Sequence, residues 1–85
     1  MKMNEPAQYE LWVRLPASVA EADVESYLNL RDCQVLSSEY VDNFKDGNMW
    51  NVLVELSTPR DDVKGYLEGR VKCHVVRSER KELVK

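Results

Sequence analysis

The chain has 85 residues, 12 of them Lys or Arg and 15 Asp or Glu, for a formal charge of −3 and a pI near 5.1. That is room for one small domain. Its 44% apolar and 32% charged content is globular rather than disordered, and the acidic balance argues against a binder that works by attraction to nucleic-acid phosphates. No run of eighteen apolar residues is present, so no membrane partner is expected, and Met1 to Pro6 lacks the apolar stretch of a signal peptide.

The first predicted element is a strand over Tyr9 to Leu15, where Leu11, Val13 and Leu15 alternate with Glu10, Trp12 and Arg14. Pro16 ends it by removing a ladder donor. A helix follows. Ser18 and Glu21 have the spacing of a capping box, and Ala20, Val24, Tyr27 and Leu28 form one apolar stripe. Its acids Glu21, Asp23 and Glu25 read as a solvated face or, more sharply, a surface for a basic partner. The second strand, Cys33 to Val41, alternates poorly; Leu36, Ser38 and Tyr40 are taken as its outward set. Asp46-Gly47 is the hairpin signal, and Met49 to Leu56 is the clearest strand, with Trp50, Val52, Val54 and Leu56 on one face and Asn51, Leu53 and Glu55 on the other.

A second helix is expected from Thr58 as N-cap, Pro59 at the first position and Asp61 three along. Its stripe is Val63, Tyr66 and Leu67, and Gly69 is its stop. Gly65 weakens it by about 1 kcal/mol relative to Ala, which points to a close approach to the sheet. The last strand is read over Val71 to Val76, with Cys73 and Val75 inward and Lys72, His74 and Val76 outward. The expected organisation is a disordered N-terminal arm over 1–8, one domain over 9–78 and a charged tail over 79–85.

The order β-α-β-β-α-β is that of a ferredoxin-like α+β fold: a four-stranded antiparallel sheet in the order 4-1-3-2, with two helices on one face. Cys33 and Cys73 then sit near opposite edges, three strand spacings or roughly 14 Å apart. A disulfide needs Cα atoms within about 7 Å, so both thiols are expected to be free. Free thiols imply a reducing, intracellular setting, cytoplasm or nucleus. The two cysteines and His74 are one ligand short of a structural zinc site, and neither metal nor cofactor is expected.

At this point the chain resembles the RNA recognition motif (RRM) family over roughly residues 9 to 78. L-W-V-R-L-P at 11–16 looks like the family's first-strand motif, with Trp12 where an RNA-stacking aromatic stands. M-W-N-V-L-V-E-L at 49–56 falls on the third-strand motif, but Asn51 and Leu53 replace its two stacking aromatics, and Met49 its basic first residue. The resemblance implies an open sheet face that binds a ligand, and a protein partner where the aromatics are missing.

A base stacked on an aromatic contributes about 1–3 kcal/mol, and a single Trp12 is a weak substitute for a set. The expectation is therefore a non-enzymatic module that binds a protein through the open sheet or the acidic first helix. Single-stranded RNA or DNA on the sheet is the alternative, and the edge strands could pair with a second copy. The candidate partner-binding residues are Trp12, Arg14, Tyr40, Leu53 and His74. Arg14, Lys72 and His74 are expected to form a small basic strip interrupted by Glu55. Three glycines, at 47, 65 and 69, cannot build a phosphate or dinucleotide loop, and His74 has no Ser, Cys or Asp constellation in view.

Overall fold

The computed structural model describes residues 6–81. Its elements are β1 (Ala7–Pro16), a 3-10 turn (Glu21–Asp23), α1 (Val24–Leu28), β2 (Cys33–Phe44), β3 (Gly47–Leu56), α2 (Val63–Glu68) and β4 (His74–Lys81). All four strands pair antiparallel in one sheet, ordered β2-β3-β1-β4. This is the expected order 4-1-3-2 counted from the other edge, and the class is α+β.

Central β1 shows why the sequence takes this form. Ala7, Tyr9, Leu11, Val13 and Leu15 are buried, while the residues between them are half-buried or exposed. Trp50, Val52, Val54 and Leu56 of β3 lie on the same side. Val24 and Leu28 of α1 and Val63, Tyr66 and Leu67 of α2 join them in one apolar cluster, so both helices cover one face. Among the described residues, no layer covers the other face of the sheet.

Hydroxyls at the margins of the core are tied to backbone. Tyr9 Oη donates to the Arg60 carbonyl (2.9 Å) and accepts from the Arg60 amide (3.0 Å), anchoring the loop ahead of α2. Tyr27 Oη donates to the Lys72 carbonyl at 2.7 Å and ties α1 to the loop ahead of β4.

The helices begin elsewhere than their sequence signals placed them. Ser18 and Glu21 form no capping box. The chain first turns on itself, with the Val19 amide donating to the Pro16 carbonyl at 3.0 Å, and Ala20 and Asp23 stand at the two N-termini without a side-chain cap. For α2 the cap is Asp62, whose Oδ1 accepts from the Gly65 amide at 2.9 Å, rather than Thr58 with Asp61. Asp62 therefore serves as a helix cap, and the close approach at Gly65 is to that carboxylate rather than to the sheet: a Cβ there would overlap Asp62 Oδ2. The hairpin turn has no residue with positive φ among those described. Gly47 opens β3 opposite Pro16, and a Cβ on it would overlap the Leu15 carbonyl. Its role is to let β1 close in rather than to shape a left-handed turn.

The largest correction concerns β2. Its register against β3 shifts between Val35 and Ser37 and again between Tyr40 and Asp42. Each shift is a bulge that places an extra residue, Leu36 and then Val41, in the edge strand. Tyr40 and Ser38 consequently lie opposite Trp50 and Val52, on the helix side, and Ser37 and Glu39 take the open face. β4 carries a similar irregularity: Val75 pairs with Val13 and Arg77 with Trp12, so Val76 is the extra residue. β4 also runs to Lys81, into the segment expected to be tail, and β1 begins at Ala7, inside the expected arm. The remaining parts of arm and tail, 1–5 and 82–85, lie outside the described residues.

Both edges of the sheet are blunted. The Val75 amide donates to Glu68 Oε2 at 2.8 Å and its carbonyl accepts from Lys64 Nζ at 3.3 Å, while Lys64 and Glu68 pair at 2.7 Å. One turn of α2 thus covers both main-chain groups of Val75. On β2, the Val35 amide donates to Asn29 Oδ1 at 2.7 Å. Bulges and covered edge groups are the usual defences against strand-to-strand association.

The Asp62–Gly65 cap makes a reversible prediction. Gly65→Ala should destabilise the protein by about 1 kcal/mol, the worth of a lost N-cap. In an Asp62→Ala background the same change should instead stabilise by up to about 1 kcal/mol, because only helix propensity then remains. Urea denaturation of the four proteins of this cycle reads both signs.

Candidate functional site: the open sheet face

The uncovered face is built by the residues between the buried ones. From β2 to β4 across the middle of the sheet, Glu39, Asn51, Trp12 and Arg77 stand in one cross-strand row. The neighbouring row toward one end is Ser37, Leu53, Glu10 and Glu79, and toward the other Asp42, Met49, Arg14 and His74. Directly opposed side chains on one face touch, so each row is a contact line.

Trp12 is half-buried at the centre, with the Arg77 guanidinium 4.9 Å from its ring centroid. Arg77 pairs with Glu79 two residues on. Asn51 Nδ2 donates to Glu10 Oε2 at 3.1 Å, and Lys81 Nζ pairs with Glu10 Oε1 at 3.3 Å. The Asn51 hydrogen bond, and then Lys81, hold the Glu10 carboxyl below its ordinary value. Trp12 therefore sits in a lattice of alternating charge whose side chains are held in place by one another.

At the end where β1 stops, Arg14 faces His74 across the β1–β4 ladder and its guanidinium lies over the Phe44 ring, 4.2 Å from the centroid. Arg14, Lys72 and His74 line a cleft of about 380 Å³, with Leu15, Pro16, Asp46, Gly47 and Cys73 completing its wall. The basic strip expected from the sequence is thus a corner. Glu55 does not interrupt it, since that residue lies opposite Gln8 at the far end of the ladder.

His74 also has a partner the sequence did not disclose: Glu68 Oε2 lies 3.3 Å from its Nδ1. The Lys64 ammonium, then the Val75 amide, hold the Glu68 carboxyl below its usual range.

Of the five candidate residues, Trp12, Arg14, Leu53 and His74 share the open face. Tyr40 is on the reverse, with its ring edge-on to Trp50 (5.5 Å between centroids, 77° between planes). Trp50 is core, 3% exposed, and its buried Nε1 has no hydrogen-bond partner among the described residues. Arg77 and Phe44 were missed. Arg77 falls in the charged C-terminal run, where the alternation Arg77, Glu79, Lys81 was the available signal; Phe44 is hidden in a turn-like cluster.

Both thiols are free. Burial pushes Cys33 up to about 11, and burial followed by the Glu68 charge does the same for Cys73, against an ordinary 9.0. Neither is an activated nucleophile. Among the described residues no group of three His, Cys, Asp or Glu side chains is placed to hold a metal, and no helix is long and apolar enough to cross a membrane. No protein-family model matches the chain, and no curated protein or solved structure matches it either.

Two pH predictions follow from these groups. The thiols' raised values mean that their contribution to stability is complete below about pH 9 and is lost as the pH climbs toward about 11. Thermal melts should decline across that window, and Cys33→Ala should flatten the decline; below it, alkylation by iodoacetamide should be much slower than in urea. Glu68 has the opposite sign. Its lowered value gives stability that is present above about pH 4.5 and lost as the pH falls through the folded value. Glu68→Gln should remove that part of the acid limb in a pH series of urea midpoints.

Proposed function

We propose that this chain is a non-enzymatic interaction module of RRM-like, ferredoxin-like form that binds a protein partner on its open sheet face. The strand order with two helices on one side, and Trp12 facing away from them, support the likeness. The observation that carries the choice of partner is the composition of the face around Trp12. Glu10, Glu39, Asp42, Glu55 and Glu79 are interleaved with Arg14, Arg77 and Lys81. Five carboxylates on the platform oppose a nucleic-acid backbone, which binds by neutralising phosphates with clustered cations. Asn51 beside Trp12 and Leu53 in the next row supply no second stacking surface. A tryptophan flanked by arginines and ringed by polar groups is, by contrast, the common make-up of a protein–protein hot spot.

Single-stranded nucleic acid remains the second reading because of the cationic corner at Arg14, Lys72 and His74. Tyr40 takes no part in it, being on the reverse face.

The test compares the wild type with Trp12→Ala and Leu53→Lys, both on the half-buried open face. Each variant should melt within a few degrees of the wild type. Each should lose binding to a partner captured and then purified by at least tenfold, about 1.4 kcal/mol, with little dependence on salt. Titration with mixed single-stranded oligonucleotides should give no saturable amide shifts at Trp12 and Leu53. Saturable oligonucleotide shifts that weaken steeply with salt, or partner binding indifferent to both variants, would overturn the proposal.

A further inference from the structure

We infer that the cleft between the end of β1, the β2–β3 turn and the start of β4 receives a phosphoryl group carried on a side chain of the protein partner. The inference rests on the reading of the open face as a protein-binding surface and names what that partner presents.

Three cationic or hydrogen-bonding side chains reach the cleft from β1, β4 and the loop ahead of β4. Arg14 and His74 are directly opposed across the ladder, and Lys72 is two residues before His74. The Arg14 guanidinium has no carboxylate partner among the described residues, and the Phe44 ring beneath it supports its plane. A planar fork held in this way offers two parallel N–H donors to two oxygens of one anion. Glu68 engages Nδ1 of His74 from the helix side, so Nε2 is the nitrogen left for a ligand, and it donates to a phosphoryl oxygen when the ring is protonated. Guanidinium, ammonium and imidazole together suit the three oxygens of a phosphoryl group better than the two of a carboxylate.

The opposing charges are Asp46 in the wall and Glu68 behind His74. They offset part of the positive charge, so a small free anion should bind weakly and most of the affinity must come from what carries it. Trp12 and Arg14 are two residues apart on one strand, about 6.6 Å. An extended segment crossing Trp12 therefore brings a side chain to the cleft within its next two residues, which favours a peptide as the carrier.

The experiment uses the full chain and three probes: inorganic phosphate, a phosphoserine peptide with its unphosphorylated twin, and a 5′-phosphorylated oligothymidylate with its unphosphorylated twin. Amide and Arg side-chain resonances are followed by NMR in 15N-labelled protein. Expected are saturable shifts at Arg14, Lys72 and His74 with phosphate, and at least tenfold tighter binding of the phosphopeptide than of its twin. Arg14→Ala and Lys72→Ala, both exposed, should each reduce the phosphopeptide preference several-fold without altering the melt.

Phosphate shifts that never saturate, or that survive Arg14→Ala, overturn the site. A larger phosphate preference on the oligonucleotide than on the peptide overturns the protein source. Phosphate binding does not require Trp12, so Trp12→Ala separates the two readings. If partner binding is lost in that variant while the phosphate arm gives nothing in wild type, the surface stands and the cleft fails. If phosphate binds but partner binding ignores Trp12, the surface reading fails.

Discussion

The register of one strand organises this molecule. β1 is hydrogen-bonded on both sides, to β3 and to β4, and Val13 is held between Trp50 and Val75 on the buried face. With Val13 so placed, Trp12 and Arg14 must face away from the helices. A slip by one residue would bury an arginine and expose Leu11, Val13 and Leu15 together, which is why a strand with one buried face specifies its register strongly. The central tryptophan, the cationic corner and the Glu10 lattice all inherit their positions from this constraint.

The edge strands work differently. β2 is buried at Cys33 and Val35 and largely exposed after that, with Tyr40 and Val41 about half exposed. An edge strand with one free side tolerates an extra residue, because only one ladder has to accommodate it. The first such insertion, Leu36, turns Tyr40 to the helix side and leaves Glu39 on the open one. The same freedom in β4 puts Arg77, rather than Val76, across from Trp12. The face is therefore more charged and less aromatic than alternation alone implies.

Side chains of the helices complete the picture at the β4 edge. Lys64 and Glu68, one turn apart, cover the main chain of Val75, and Glu68 also meets His74. A pair that reads in sequence as an ordinary exposed i,i+4 ion pair thus closes an edge and orients a residue of the cleft. It links the helical layer to a corner of the opposite face without passing through the core.

Alternation in Tyr9 to Leu15 and in Trp50 to Leu56, together with the apolar stripes of the two helical segments, was enough to read the class, the strand order and the centre of the core, but not Ala7, Val19, Cys33 and Val35 at its margins. These are properties of residues buried on one face, where hydrophobic burial enforces the period. Only the tertiary structure decided the bulges, the choice of Asp62 over Thr58 as cap, the approach that requires Gly47, and the meeting of Glu68 with His74. The physical reason is that strand pairing, the Tyr9 anchor on the loop ahead of α2 and the seating of α2 along β4 set where these groups meet, and local periodicity carries no record of that.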